Sequence, residues 1–233
     1  MHGIPPSLRR DGAFPIRKRR NMSDRTPPRG SVLRGRHVHL EPLEGHHVAG
    51  LVAAALAEPA LYRWTMVPQS EDAMREYVRR AVAEQREGSA LAFATIDARS
   101  GEIVGSTRYF NIERWAWPMG HERFSVATPD ACEIGYTWLT RSAIRTAANT
   151  EAKLLMLEHA FETWRLLRVC FHTDVRNERS RRAIERIGGE LEGILRAHRL
   201  ASDYSARNSA RYSILAEDWP AIKARLEDRL GSA

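Results

Sequence analysis

Between Ala131 and Gly189 the chain alternates between strand-like and helix-like hydrophobic patterning, and this alternation restricts the fold more than any other feature. "ACEIGYTWL" reads as a strand, and "NTEAKLLMLEHAFETW" as a helix with Leu154, Leu155, Leu157, Ala160, Phe161 and Trp164 in one wide apolar stripe. "LRVCFHTDV" opens on a near-continuous apolar run, the pattern of a strand buried on both faces. The next helix, "NERSRRAIERIGG", has Asn177 and Ser180 where it should start and Gly188 and Gly189 where it should stop. Ser180 is aligned with Ile184 and Ile187 by the i, i+4, i+7 rule, so its hydroxyl belongs to the face that turns toward the sheet.

The flanking sequence continues the pattern. "VLRGRHVHLEPL" (Val32–Leu43) alternates as a half-buried strand. "GHHVAGLVAAALAE" and "SEDAMREYVRRAVAEQREG" have helical spacing, the second with Ser70 as its cap and Glu71 and Asp72 in its first turn. "ALAFATID" and "EIVGSTRYFNIE" form a hairpin through "ARSG". After the 131–188 unit come the strand "GELEGILRAHRL", a polar loop "ASDYSARN", the strand "SARYSILAED" and the helix "WPAIKARLEDRL". One mixed α/β sheet with helices on both faces accounts for residues 31–233 as a single domain.

Charge divides the chain. Residues 1–30 hold eight Lys/Arg against two Asp, so six of the seven net positive charges lie there and the body is near neutral. With five of the eleven prolines and little apolar periodicity, this tail is expected to be disordered; it has no apolar segment of a secretory signal. Either Met22 is the natural start or the tail is a weak tether to RNA or anionic membrane. The near-neutral body gives no argument for nucleic-acid binding by the folded domain. No stretch is apolar enough to span a membrane. Cys132 and Cys170 lie in apolar strands and read as core residues, which fits a reducing, cytoplasmic compartment. The nine histidines show no metal-ligand spacing, and no metal is expected.

A strand running into a helix N-terminus is an anion site by physics alone, since free amides converge there. The loop between strand 131–139 and the next helix, "TRSAIRTAAN", adds Arg141 and Arg145, which suit a pyrophosphate and serve equally as solvated surface arginines.

The opening "LRGRHVHLEPL", the strand "EIGYTWL", the helix start "NTEAKLL", the strand–helix "RVCFHTDVRNERSRRAIERIGG" and "LEGILRAHR" resemble, in that order, GNAT-superfamily N-acetyltransferases of the RimJ/RimL-like branch. The resemblance spans Val32 to about Leu230. It implies the GNAT fold, a mostly antiparallel sheet splayed at two parallel strands, and transfer of an acetyl group from acetyl-CoA to a primary amine. "EIGYTWL" corresponds to the strand that pairs with the pantetheine arm, which implicates Tyr136, Thr137 and Trp138. The following loop corresponds to the family's pyrophosphate loop, usually Q/R-x-x-G-x-G/A. Here Ile144 stands at the Q/R position, Ala147 at the glycine and Asn149 at the last small residue, with Arg141, Arg145 and Thr146 as neighbouring phosphate candidates. The N-x-x-S of "RNERS" matches a CoA-contacting pair, Asn177 and Ser180. By the same resemblance Ser180 protonates the leaving thiolate and Glu133 is the base, with His172 and Asp174 as second candidates. Glu133 can instead be a strand-edge ion pair, and Asn177 a plain helix cap.

The acceptor stays open among protein N-termini and small-molecule amines. The aromatic loop Arg114–Asp130, with Trp115, Trp117, Met119, His121 and Phe124, is a substrate wall, a dimer contact or a loop stapled to the core. The alternatives are a succinyl-CoA-dependent enzyme, a non-catalytic acyl-CoA-binding regulator, and nucleic-acid binding by the tail. The assembly is a monomer or a homodimer.

Overall fold

In a computed structural model that describes residues 31–232, the elements run β1 (Leu33–Arg34), β2 (Val38–Pro42), α1 (Val48–Leu56), α2 (Glu71–Glu87), β3 (Leu91–Asp97), β4 (Ile103–Glu113), β5 (Ala131–Leu139), α3 (Ala148–Glu158), β6 (Arg168–Asp174), α4 (Glu178–Arg186), β7 (Glu190–Leu200), β8 (Ala206–Leu215) and α5 (Trp219–Gly231). The expectation for residues 1–30 lies outside the described residues. All strands join one sheet in the order β1-β2-β3-β4-β5-β6-β8-β7. Neighbours are antiparallel except β5 and β6. The mixed α/β sheet read from the sequence is the one observed.

The pleat assigns side chains to the two faces. Leu91 and Phe93 of β3, with Cys132 and Ile134 of β5, pack with Ala152 and Met156 of α3, Ile184 of α4 and Trp219 of α5. Ala92 and Ala94 face the other way, onto Leu51 of α1 and Met74 and Val78 of α2, with Trp138 in the same cluster. As the sequence suggests, Ser70 caps α2, its Oγ accepting the Ala73 amide hydrogen at 3.3 Å, and Gly88 ends it in the left-handed region.

Three readings needed correction. The strand expected over Val32–Leu43 is two strands, because Gly35–His37 turns back on itself to meet α3. The Glu151 carboxylate accepts the amide hydrogens of Arg36, His37 and Val38 at 2.8, 2.6 and 2.7 Å. A Cβ at position 35 would collide with that carboxylate, so glycine is required by space. In α3 the buried residues include Glu151 and Lys153, while Leu154 and Leu155 are only partly buried; the helix then widens into a π turn, His159–Thr163. Finally, β8 begins at Ala206, taking in residues expected in the loop before it.

Candidate active site

β5 and β6 pair only over Ala131–Glu133 against Arg168–Cys170. Beyond Glu133 they diverge, β5 remaining with β4 and β6 with β8. The β6-facing main-chain edge of Ile134–Leu139 is therefore left without a strand partner among the described residues. In this edge Tyr136 has φ +51°, at a register shift between β4 and β5. A left-handed non-glycine costs about 1–2 kcal/mol, so neighbours must hold it. The Arg108 guanidinium lies 4.3 Å from the Tyr136 ring and 4.9 Å from that of Tyr77, and Phe110 meets Tyr136 edge-on at 5.0 Å. Arg108 is itself buried and fixed by Glu84 at 2.9 Å.

Beneath the bulge, on the α3 face, Lys153 donates to Thr107 Oγ1 at 2.9 Å and Thr137 Oγ1 at 2.8 Å, and the two hydroxyls lie 2.9 Å apart. Its Nζ forms no ion pair with any described residue. Burial lowers its pKa from 10.5 to about 7. Sequence reasoning passed over Lys153; its only signal was a cation inside an otherwise apolar helix face.

The opposite face carries the acid–base candidates. Glu133 is 3% exposed, with Oε1 2.9 Å from His172 Nδ1 and Oε2 accepting from Arg199 Nη2 at 2.8 Å and Asn111 Nδ2 at 2.9 Å. Burial alone would raise its pKa, but the hydrogen bonds and charges of His172 and Arg199 outweigh burial and hold it below the usual glutamate value. Both ring nitrogens of His172 are buried without an aligned hydrogen-bond partner among the described residues, Nδ1 despite lying 2.9 Å from Glu133, and its ring lies 4.9 Å from that of His198. Asp174 is committed elsewhere: Arg176 grips both its oxygens, at 3.0 and 2.7 Å, and the Arg176 amide donates to it at 2.9 Å. Those bonds keep its pKa low. Arg176 also reaches Asp203 of the β7–β8 turn at 3.2 Å and lies 5.1 Å from the Trp64 ring, so the α1–α2 and β7–β8 connections meet there.

At the mouth of the splay, the loop after β5 runs into the N-terminus of α3. Arg141 pairs with Glu58 of the α1–α2 connection. Arg145 is exposed and left-handed, with φ +63°. Thr146 Oγ1 accepts the Ala148 amide hydrogen at 3.1 Å, and Ala147 is the N-cap with no side-chain cap of its own. Asn149 lies in the first turn, where helix amides lack intrahelical acceptors. Asn177 does cap α4, its Oδ1 accepting the Ser180 amide hydrogen at 3.1 Å. Ser180 is partly exposed, on the face that buries Ile184 and Ile187.

The aromatic loop Arg114–Asp130 sits at the other end of the parallel pair. Asp130 anchors it, accepting from the Trp115 amide at 2.7 Å, Trp117 Nε1 at 2.8 Å and Arg123 Nε at 2.9 Å, while Arg123 Nη2 reaches the Arg165 carbonyl at 3.0 Å. Of its three readings, the stapled loop matches this geometry. Glu41, His46 and His47 each place one possible ligand atom within 4.8 Å of the others. There His47 Nδ1 accepts the Glu44 amide hydrogen at 3.0 Å, so Nε2 carries the proton and faces Glu41 at 3.4 Å.

A sheet opened at its parallel pair, with a bulged strand edge leading to a helix N-terminus, defines the class of acyl-CoA-dependent acyltransferases. The chain belongs to the GNAT acetyltransferases: the family model described as an Acetyltransferase (GNAT) domain matches residues 37–190. A GCN5-related N-acetyltransferase from Brucella melitensis superposes with TM-score 0.74 at 29% identity, over 88% of this chain and 87% of its own. Mycobacterium smegmatis RimJ in complex with CoA-disulfide gives 0.69 at 23%, over 82% and 88%. RimL, a ribosomal L7/L12 α-N-protein acetyltransferase in complex with coenzyme A, gives 0.65 at 18%, over 79% and 98%. Comparison with curated proteins finds no match. The chain is thus an acyl-CoA-dependent acetyltransferase, and no helix among the described residues is long and apolar enough to cross a membrane.

Proposed function

We propose that this enzyme transfers the acetyl group of acetyl-CoA to a primary amine by direct attack in a ternary complex. The observation that carries the reading is the departure of β5 from β6 just past Glu133, where Tyr136 bulges the free edge. In this reading the backbone of Tyr136, Thr137 and Trp138 pairs with the pantetheine arm, and an amide near Thr137 or Trp138 donates to the developing oxyanion. Lys153 fixes Thr137 from below and places a positive charge or a neutral amine behind that amide. The diphosphate lies over the first turn of α3, within reach of Arg145, Thr146, Ala147 and Asn149; Arg141 joins it only on leaving Glu58. Asn177 holds the start of α4, which presents Ser180.

The attacking amine arrives as an ammonium and must lose a proton. Glu133, ionised at neutral pH and facing away from α3, attracts the cation and takes the proton, with His172 Nδ1 2.9 Å away. Asp174, at the far end of β6, has both oxygens bound by Arg176. Ser180 delivers a proton to the departing thiolate.

Steady-state thiol release across a primary-amine panel tests the assignment. Glu133→Gln should lower kcat by about 10²–10⁴-fold and remove the acidic limb of the pH–rate profile. Ser180→Ala should fall near the low end of that range, because water can substitute, with acetyl-CoA affinity kept within a few-fold. An unaltered pH profile in Glu133→Gln would transfer the base to another group. Acetyl-CoA binding without thiol release for any amine would make the chain a non-catalytic CoA-binding regulator.

A further inference from the structure

Arg199 and Arg207 are paired residues of β7 and β8, directly opposite one another and therefore on one face of the sheet. Like charges so placed repel. Arg199 is compensated: its Nη2 reaches Glu133 at 2.8 Å and its guanidinium lies 5.3 Å from the Phe110 ring. Arg207 is not. It is half-buried, its Nε donates to Ser209 Oγ at 2.9 Å, and it forms no ion pair with any described residue. The carboxylates whose charges it senses, Asp174 and Glu133, are already occupied, the first by Arg176 and the second by His172, Arg199 and Asn111. Burial, and next the charge of Arg199, weaken its hold on its proton. Nε is held by Ser209, whose side chain is fully buried, and the guanidinium stands opposite Arg199, the residue that reaches Glu133.

A half-buried guanidinium tethered through Nε, with its terminal nitrogens unclaimed among the described residues, is a carboxylate receptor. We infer that Arg207 forms a carboxylate-binding subsite of the acyl-transfer cleft, so that one of the two substrates carries a free carboxylate close to the reacting atoms. This rests on the reading above and specifies its substrates. The carboxylate has two sources: an amino-acid acceptor, or the distal end of a dicarboxylic acyl group such as succinyl.

The test measures preference by equilibrium binding to the full chain. One arm compares succinyl-CoA with acetyl-CoA by calorimetry. The other, with CoA present, compares a set of amino acids with their amides, which differ only in the carboxylate. In one arm the wild type should favour the carboxylate form by roughly 10–100-fold, the range of a charge-assisted bidentate contact. Arg207→Gln should collapse that preference toward unity, and Arg207→Lys should restore part of it. The responding arm identifies the source. Equal binding within both pairs overturns the subsite, and so does a preference that survives in Arg207→Gln. Should Arg207→Gln fail to fold, the wild-type comparison and the lysine variant still decide. A chain that binds neither thioester overturns the acyl-CoA reading itself, whereas one that binds both thioesters equally and shows no carboxylate preference among acceptors overturns only the subsite.

Discussion

Lys153 sits in an environment that disfavours its charged form. A buried ammonium with two hydroxyls and a thioether as its only partners among the described residues pays for desolvation, and the cost follows the pH. Below about pH 7 the folded and unfolded chains both hold the proton, and the whole penalty is present. Between about 7 and 10.5 the folded chain has released the proton while the unfolded chain keeps it, so stability rises with pH across that window. At about 1.4 kcal/mol per unit of displacement, the penalty at low pH is on the order of several kcal/mol. Lys153→Met should therefore raise Tm at pH 6 and do so less at pH 9. The same variant should lower kcat/KM, because Thr137 loses its anchor. Equal gains in Tm at both pH values would contradict a charged Lys153 in the folded state.

Among the elements, the β1–β2 hairpin shows how a polar clasp replaces an apolar one. Glu151 satisfies three amides that have turned away from the ladder, and its burial is tolerated because all three bonds are made. Glu151→Gln converts one acceptor into a donor facing an N–H. It should cost about 1–3 kcal/mol, read as a lower denaturant midpoint at constant m-value. Gly35→Ala should destabilise through the same contact, and the double variant should lose less than the sum. Strict additivity would mean that the two positions are uncoupled.

This is also where the sequence stopped being readable. Period and capping located the central strand–helix units, and Asn177 does cap α4, because these features depend on neighbours within a few positions. Glu151 and Lys153 carry no local signal of burial; their partners are more than one hundred residues upstream for Glu151 and on two other strands for Lys153. Glu133 was identifiable as a strand glutamate, but not its linkage to His172, Arg199 and Asn111, which three separate elements supply. The composition of the loop Arg114–Asp130 fitted a substrate wall, a dimer contact or a staple alike; its position depends on Asp130 and Arg123, whose ordinary charges gave no hint of their pairing.

At the scale of the molecule, the account comes down to one opening in the sheet. The antiparallel strands on either side are continuous, the two helical layers are packed, and only past Glu133 does a main-chain edge in the middle of the sheet remain free among the described strands. Amide hydrogen exchange with and without CoA tests that opening most directly. The account predicts slower exchange on CoA addition within Ile134–Leu139 and over the first turn of α3, Ala148–Thr150, with the loop Arg114–Asp130 unaffected. Unchanged exchange in both segments at saturating CoA, or protection confined to another part of the sheet, would contradict it.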